Sequence, residues 1–176
     1  MRRRVVLCVL AVFVALSSAL AGPGGRLATA RAADNTNVVI HWNLVMLATL
    51  ASANVPPPAA TRLGAIVQAA VFDAVNGIEP QYTAIHVAPA APEGASRKAA
   101  TVGAAYTALV SLFPLQKAAL DTDRAASIAA ISDDEGGLDP AISRGLDWGA
   151  TVANQILAWR AADGFSAVPA LYVQGT

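Results

Sequence analysis

The chain has 176 residues, twelve basic and twelve acidic, with 55% of positions hydrophobic and only 6% aromatic. That length supports one domain with a sizeable core. Much of the hydrophobic fraction is alanine, a strong helix former that adds little core volume, so the composition argues against a β-sandwich and for close-packed helices.

The balanced charge conceals an asymmetry. Arg2, Arg3, Arg4, Arg26 and Arg31 lie in the first 33 positions, where no acidic residue occurs. Removal of residues 1–33 leaves seven basic and twelve acidic groups, a net charge of −5. A mildly acidic domain lacks the clustered Lys and Arg that non-specific nucleic-acid binding requires. The single cysteine, Cys8, falls in the same leader. Neither a disulfide framework nor a thiolate metal site is therefore expected in the remainder.

Residues 1–21 place a basic Arg2–Arg4 cluster before an apolar run, Val5 to Leu16, and end on Ala19-Leu20-Ala21. That order is the signature of a secretory signal peptide, so a secreted or extracytoplasmic protein with no membrane association after cleavage is expected. The alternative is an uncleaved anchor, since Val5 to Ala21 is barely long enough to span a bilayer. Ala30-Arg31-Ala32 is a second acceptable cleavage site, so residues 1–33 are read as signal peptide and processed segment.

Five helices are predicted over residues 34–176, giving an all-α helical bundle. The first runs from about Val38 to Ala53, with Asn35 or Asn37 as cap and Trp42 as a core anchor. Pro56-Pro57-Pro58 stops it and starts the second, because proline fits only the first turn of a helix. This second helix, Arg62–Ile78, is apolar nearly all round and is expected to be the central one, ended by Gly77. Pro80, Pro89, Pro92 and Gly94 make residues 79–94 an extended surface loop. Ser96 is placed to cap a third helix, Arg97 to Leu112, and Phe113-Pro114 marks a sharp turn.

A fourth helix, about Leu115 to Ile131, buries Leu120, Ile128 and Ile131 and keeps Asp121, Asp123 and Arg124 wet. Ser132 to Gly137 reads as an acidic loop. Asp139-Pro140 then starts a fifth helix that runs to about Ala162 and is ended by Gly164. Gly145, Gly149 and Ala153 recur every four residues along it. Such a stripe admits a close neighbour, although chance spacing in an alanine-rich helix produces the same pattern.

Chemistry-bearing residues are sparse. His41 and His86 are 45 positions apart and neither has a second ligand at helical spacing, so both read as structural or solvated. Asp133-Asp134-Glu135 lacks the alternating order of a calcium loop. Asp73 and Asn76 lie at i and i+3 on one edge of the second helix, with Arg62 three turns earlier on that edge. A buried carboxylate must be paired or hydrogen-bonded. Asp73 is thus either a catalytic acid or a clamp on a neighbouring helix end or loop. The clamp is preferred because no partner acid, nucleophile or base accompanies it.

Four segments together resemble a known family: Val38-Val39-Ile40-His41-Trp42-Asn43, the second helix with Phe72-Asp73-Ala74-Val75-Asn76, Ala104-Ala105-Tyr106 through Leu112-Phe113-Pro114, and Arg160-Ala161-Ala162-Asp163-Gly164. They are similar to the N-terminal half of secreted bacterial vanadium-dependent haloperoxidases, in the type-2 phosphatidic acid phosphatase superfamily. The resemblance implies two helical bundles, with vanadate or phosphate bound in the second. The family's site motifs are a Lys with a following Arg-Pro, a Ser-Gly-His triplet and Arg-x-x-x-x-His. None occurs here: Lys98 and Lys117 are the only lysines, and no Arg has a His five positions later.

No catalytic, cofactor-binding or metal residue is therefore assigned, and vanadate is expected only in a full-length relative. The expectation is an N-terminal helical scaffold, truncated before the catalytic bundle, inactive alone and partnered by that missing or separate bundle. The alternative is a free-standing exported module that associates with another chain.

Overall fold

The computed structural model describes residues 37–135 and 140–165. All but Asn37 lie in the unit that begins at Val38. Among these residues the secondary structure is entirely helical: α1 (Val38–Ser52), α2 (Pro57–Ile78), α3 (Arg97–Leu112), a 3-10 turn at Pro114–Gln116, α4 (Lys117–Glu135) and α5 (Pro140–Ala161). The signal-like segment 1–33, Asn35, residues 136–139 and residues 166–176 lie outside the described residues. So does Asp139 as the cap of α5, although Pro140 does open that helix.

Local chemistry accounts for most boundaries. Pro57 and Pro58 occupy the first turn of α2, where a missing N–H costs nothing. The Ser96 hydroxyl accepts from Ala99 N at 3.2 Å, satisfying one of the orphan donors at the start of α3. Phe113 N donates to Leu109 O and closes α3; Pro114 then forbids continuation, and α4 leaves at a bend of 117°. The Gln116 side chain donates to Thr49 O at 2.9 Å and so ties this turn to the last turn of α1.

Two expected boundaries move. The acidic run at Asp133–Glu135 continues α4 rather than forming a loop, because no breaker intervenes before Gly136 and Gly137. Gly77 does not end α2. It is buried inside the helix, without the left-handed backbone of a glycine cap. It is there to admit Trp148 of α5, whose Cζ2 would stand 2.6 Å from a Cβ at this position. The indole N–H of Trp148 donates to Ala74 O at 2.8 Å, so α2 and α5 are joined by one buried polar contact with the ring laid across a glycine.

The helix at the centre is α3, not α2. Every residue from Ala99 to Ala105 is buried, on all sides of the helix. Small side chains make this possible, because neighbours can approach the backbone itself. A Cβ on Gly149 would lie 2.7 Å from Ala104 N and nearer still to Ala100 O. One on Gly145 would lie 2.9 Å from Ala99 Cβ, and one on Gly103 would press on Leu146 backbone from the other side. The Gly145/Gly149/Ala153 stripe is thus a helix–helix seam, with α3 and α5 in backbone contact. Around it Leu109, Val102, Val152, Ile142 and Ile156 complete the core.

Against this pair, α2 packs with Ile66, Val67, Ala70, Val71 and Ala74. Its opposite side is only half covered. Phe72 and Val75 line an open groove of about 380 Å³ with Val39, Val71 and Tyr82. α1 lies over α3 through Trp42, Val45, Met46 and Leu50. Its outer side carries Ile40, Leu44 and Leu47, which are 45%, 45% and 56% exposed.

Candidate functional site

Arg62, Asp73 and Asn76 share one edge of α2, and the structure gives each a definite task, while Gln68, off that edge, donates to Asn43 Oδ1 of α1. Asp73 is completely buried. Its Oδ1 accepts from Ile85 N at 2.8 Å, and its Oδ2 accepts from His86 N at 2.9 Å and Val87 N at 2.8 Å. Three consecutive backbone donors therefore converge on one carboxylate. A turn with this geometry is a natural anion cradle, and here the chain supplies its own anion. Among the described residues no nucleophile or second acid is hydrogen-bonded to the Asp73 carboxylate, and its contacts are those of a clamp.

Asn76, one turn further, repeats the device with a neutral group. Its Oδ1 accepts from Gln81 N and Tyr82 N at 3.1 and 3.0 Å, and its Nδ2 donates to Tyr82 O at 2.8 Å. The two side chains together fix both the start and the middle of the proline-rich loop. That loop is not wholly superficial, because Val87 is driven into the core beside the clamp.

The loop in turn delivers its side chains to the end of α5. His86 stacks on Trp159, with ring centroids 4.4 Å apart and planes within 8° of parallel. Ile85 stands beside it, half exposed. His41, by contrast, is buried in α1 with its ring edge-on to Trp42, 6.1 Å away. The two histidines serve different elements. No cluster of three or more metal-ligating side chains occurs among the described residues.

Arg62 completes the edge. Its guanidinium donates to Asp163 Oδ2 at 2.9 Å and to Arg160 O at 3.0 Å, which caps the last turn of α5. Arg160 reaches the same oxygen at 2.8 Å. The other oxygen, Oδ1, accepts from Phe165 N at 3.0 Å. Asp163 is held below the ordinary aspartate range, first by that backbone N–H and then by Arg62 and Arg160. The Phe165 ring lies under Arg62, 4.5 Å from the guanidinium carbon. Two guanidiniums thus share one carboxylate and, among the described residues, leave one net positive charge at the end of α5.

On α4, the Asp121 carboxylate accepts from Lys117 at 2.7 and 2.9 Å and from Tyr106 hydroxyl at 2.6 Å. These partners hold Asp121 below and Lys117 above their ordinary ranges, each chiefly through the other. Sequence spacing brought out Arg62, Asp73 and Asn76. It missed Arg160 and Asp163 as neighbours of Arg62, and Trp159 as the partner of His86, because those contacts join distant parts of the chain with no local signature.

Comparison of the chain with family models, with curated proteins and with solved structures yields no match. The site must be read from its geometry alone. A vanadate trianion needs several convergent cationic donors and a histidine. Arg62 and Arg160, the guanidiniums that the fold brings together, are already bridged by Asp163. The residues do not fit that group, and no step through it is derived.

Proposed function

We propose that this chain is the helical scaffold of an exported protein of the vanadium haloperoxidase and acid phosphatase type. On this reading it supplies packing surface and no reacting group. The observation that supports it is the outer face of α1. A helix that is apolar all round belongs inside a protein, covered on several sides. α1 buries Trp42, Val45, Met46 and Leu50 on one side, yet leaves Leu44 and Leu47 about half exposed on the other. A second helical layer over that face completes the pattern, and the catalytic bundle of a two-bundle enzyme is such a layer. The polar groups of α2 agree with this role, since Arg62, Asp73 and Asn76 all hold backbone.

Two measurements test the proposal. The chain alone is expected to show neither vanadate binding nor oxidation of bromide by hydrogen peroxide. Coding sequence immediately downstream is expected to carry Ser-Gly-His and Arg-x-x-x-x-His. Activity of the isolated chain, or a downstream sequence without those motifs, would defeat the assignment. The latter result would favour a free-standing module that packs its α1 face on another chain.

A further inference from the structure

A second apolar groove, of about 510 Å³, lies along α2 beside the first, between that helix, residue Ile85 and the end of α5. It is lined by Ile66 and Ala69 of α2, Ile156 and Trp159 of α5 and Ile85, with the exposed Ala65 at its mouth. The size is that of a small-ligand cleft, which typically runs from about 300 to 1,000 Å³ and combines apolar walls with a few placed polar groups. Arg62 and Arg160 stand at one end.

We propose that this groove binds a small amphiphilic acid, an apolar body of ring or short-chain size carrying one carboxylate. Charge complementarity selects this ligand. Two guanidiniums at the groove share Asp163 as their acidic partner, so among the described residues one positive charge is unneutralised there. Arg160 is the more exposed of the two and offers the remaining donors. A monocarboxylate accepts from that fork with charge-assisted bonds while its apolar part covers Ala65, Ala69 and Ile85. The walls are already set. Ile85 is fixed because its own N–H is held by Asp73. Trp159 is flanked by His86 at 4.4 Å and by the Arg160 guanidinium at 5.0 Å. The groove beside Phe72 lacks this charge, since Arg97 on its rim is paired with Glu79. This inference stands independently of the scaffold reading.

Titration of the whole chain with 4-phenylbutyrate tests it, followed by heat and by tryptophan fluorescence. Trp42 and Trp148 are buried and Trp159 is 43% exposed, so the optical signal reports mainly on the groove. A ligand of this size is expected to saturate with a Kd on the order of 1 mM. The neutral analogue 4-phenylbutan-1-ol and the variant Arg160→Gln are each expected to weaken binding about tenfold. Ala65 is exposed at the groove mouth, so Ala65→Phe is expected to abolish binding while leaving the melting temperature unchanged. Absence of saturation, equal affinity for acid and alcohol, or full binding by Ala65→Phe would each overturn the proposal.

Discussion

Gly149→Ala and Gly64→Ala are the same chemical change at two helix interiors, and the structure gives them opposite signs. In an open helix this substitution stabilises by up to about 1 kcal/mol, because glycine loses more backbone freedom on folding. At Gly64 nothing opposes the gain. The nearest atoms to an added Cβ are Met46 Sδ at 3.8 Å and Met46 Cε at 3.9 Å, ordinary contacts with a flexible side chain. At Gly149 the added carbon would stand 2.7 Å from Ala104 N and nearer to Ala100 O, both fixed backbone atoms. Restoring normal contact requires α3 and α5 to part by roughly 0.7 Å or more, and a gap of 0.5–1 Å forfeits about a quarter to a half of each dispersion well across the seam. Overpacking of this kind costs about 1–3 kcal/mol, and backbone neighbours put it at the upper end. Net of helix propensity, Gly149→Ala is expected to destabilise by about 2 kcal/mol and to lower Tm by about 8 °C. Gly64→Ala is expected to raise Tm by about 3 °C. Thermal and urea melts followed by circular dichroism at 222 nm measure both. A Gly149→Ala protein as stable as the parent would refute the close approach of α3 and α5.

Trp148→Phe removes the buried N–H to Ala74 O and leaves space beside Gly77, for an expected loss of about 2–3 kcal/mol. Gly77→Ala is expected to cost much less in that background than in the parent, since the clashing ring is gone; a double-mutant cycle by urea melts checks the coupling. Asp73→Asn deprives three N–H groups of part of their acceptor and should cost about 2–4 kcal/mol, with faster hydrogen exchange at Ile85, His86 and Val87. Protected amides in that variant would show that the loop is held by something else. Asp163 and Asp121 are depressed below the ordinary value of 3.8, so each contributes stability that is present above pH 3.8 and lost as pH falls through its folded value. The Asp163 part is expected to shrink in Arg62→Gln, measured as a flatter dependence of Tm on pH between about 2 and 5.

What the sequence conveyed and what it withheld have physical reasons. Boundaries set by residue-specific backbone chemistry were legible: Pro57, Ser96 and Phe113-Pro114 act locally, and α3 begins and ends where they require. The buried side of α1 was legible from Trp42 and Met46 at helical spacing. The hub was not. Hydropathy ranks α2 above α3, because α3 is built of alanine, and the close approach that small residues permit leaves no mark in a hydrophobic pattern. Gly77 was misread for a related reason. A glycine near a helix end satisfies the capping rule, whereas the Trp148 ring that needs it lies about seventy positions away. The clamp on Asp73 was anticipated only in outline, since its partners are N–H groups that every non-proline residue carries.

The position of Asp73 also bears on what kind of protein this is. A carboxylate buried at the middle of a domain is the usual starting point for an active-site hypothesis, because burial perturbs it and chemistry can use the perturbation. Here both oxygens are spent on three backbone donors, and the side chain is completely buried. The consequence of that spending appears elsewhere. Holding residues 85–87 places Ile85 and His86 against Trp159, and so builds one wall of the groove at the end of α5. Asp73 therefore acts on recognition at a distance, through backbone, and Asp73→Asn should weaken 4-phenylbutyrate binding without Asp73 touching the ligand. If binding in that variant were unchanged while the Ile85–Val87 amides exchanged freely, the wall would not depend on the clamp. The polar edge of α2 would then serve stability alone.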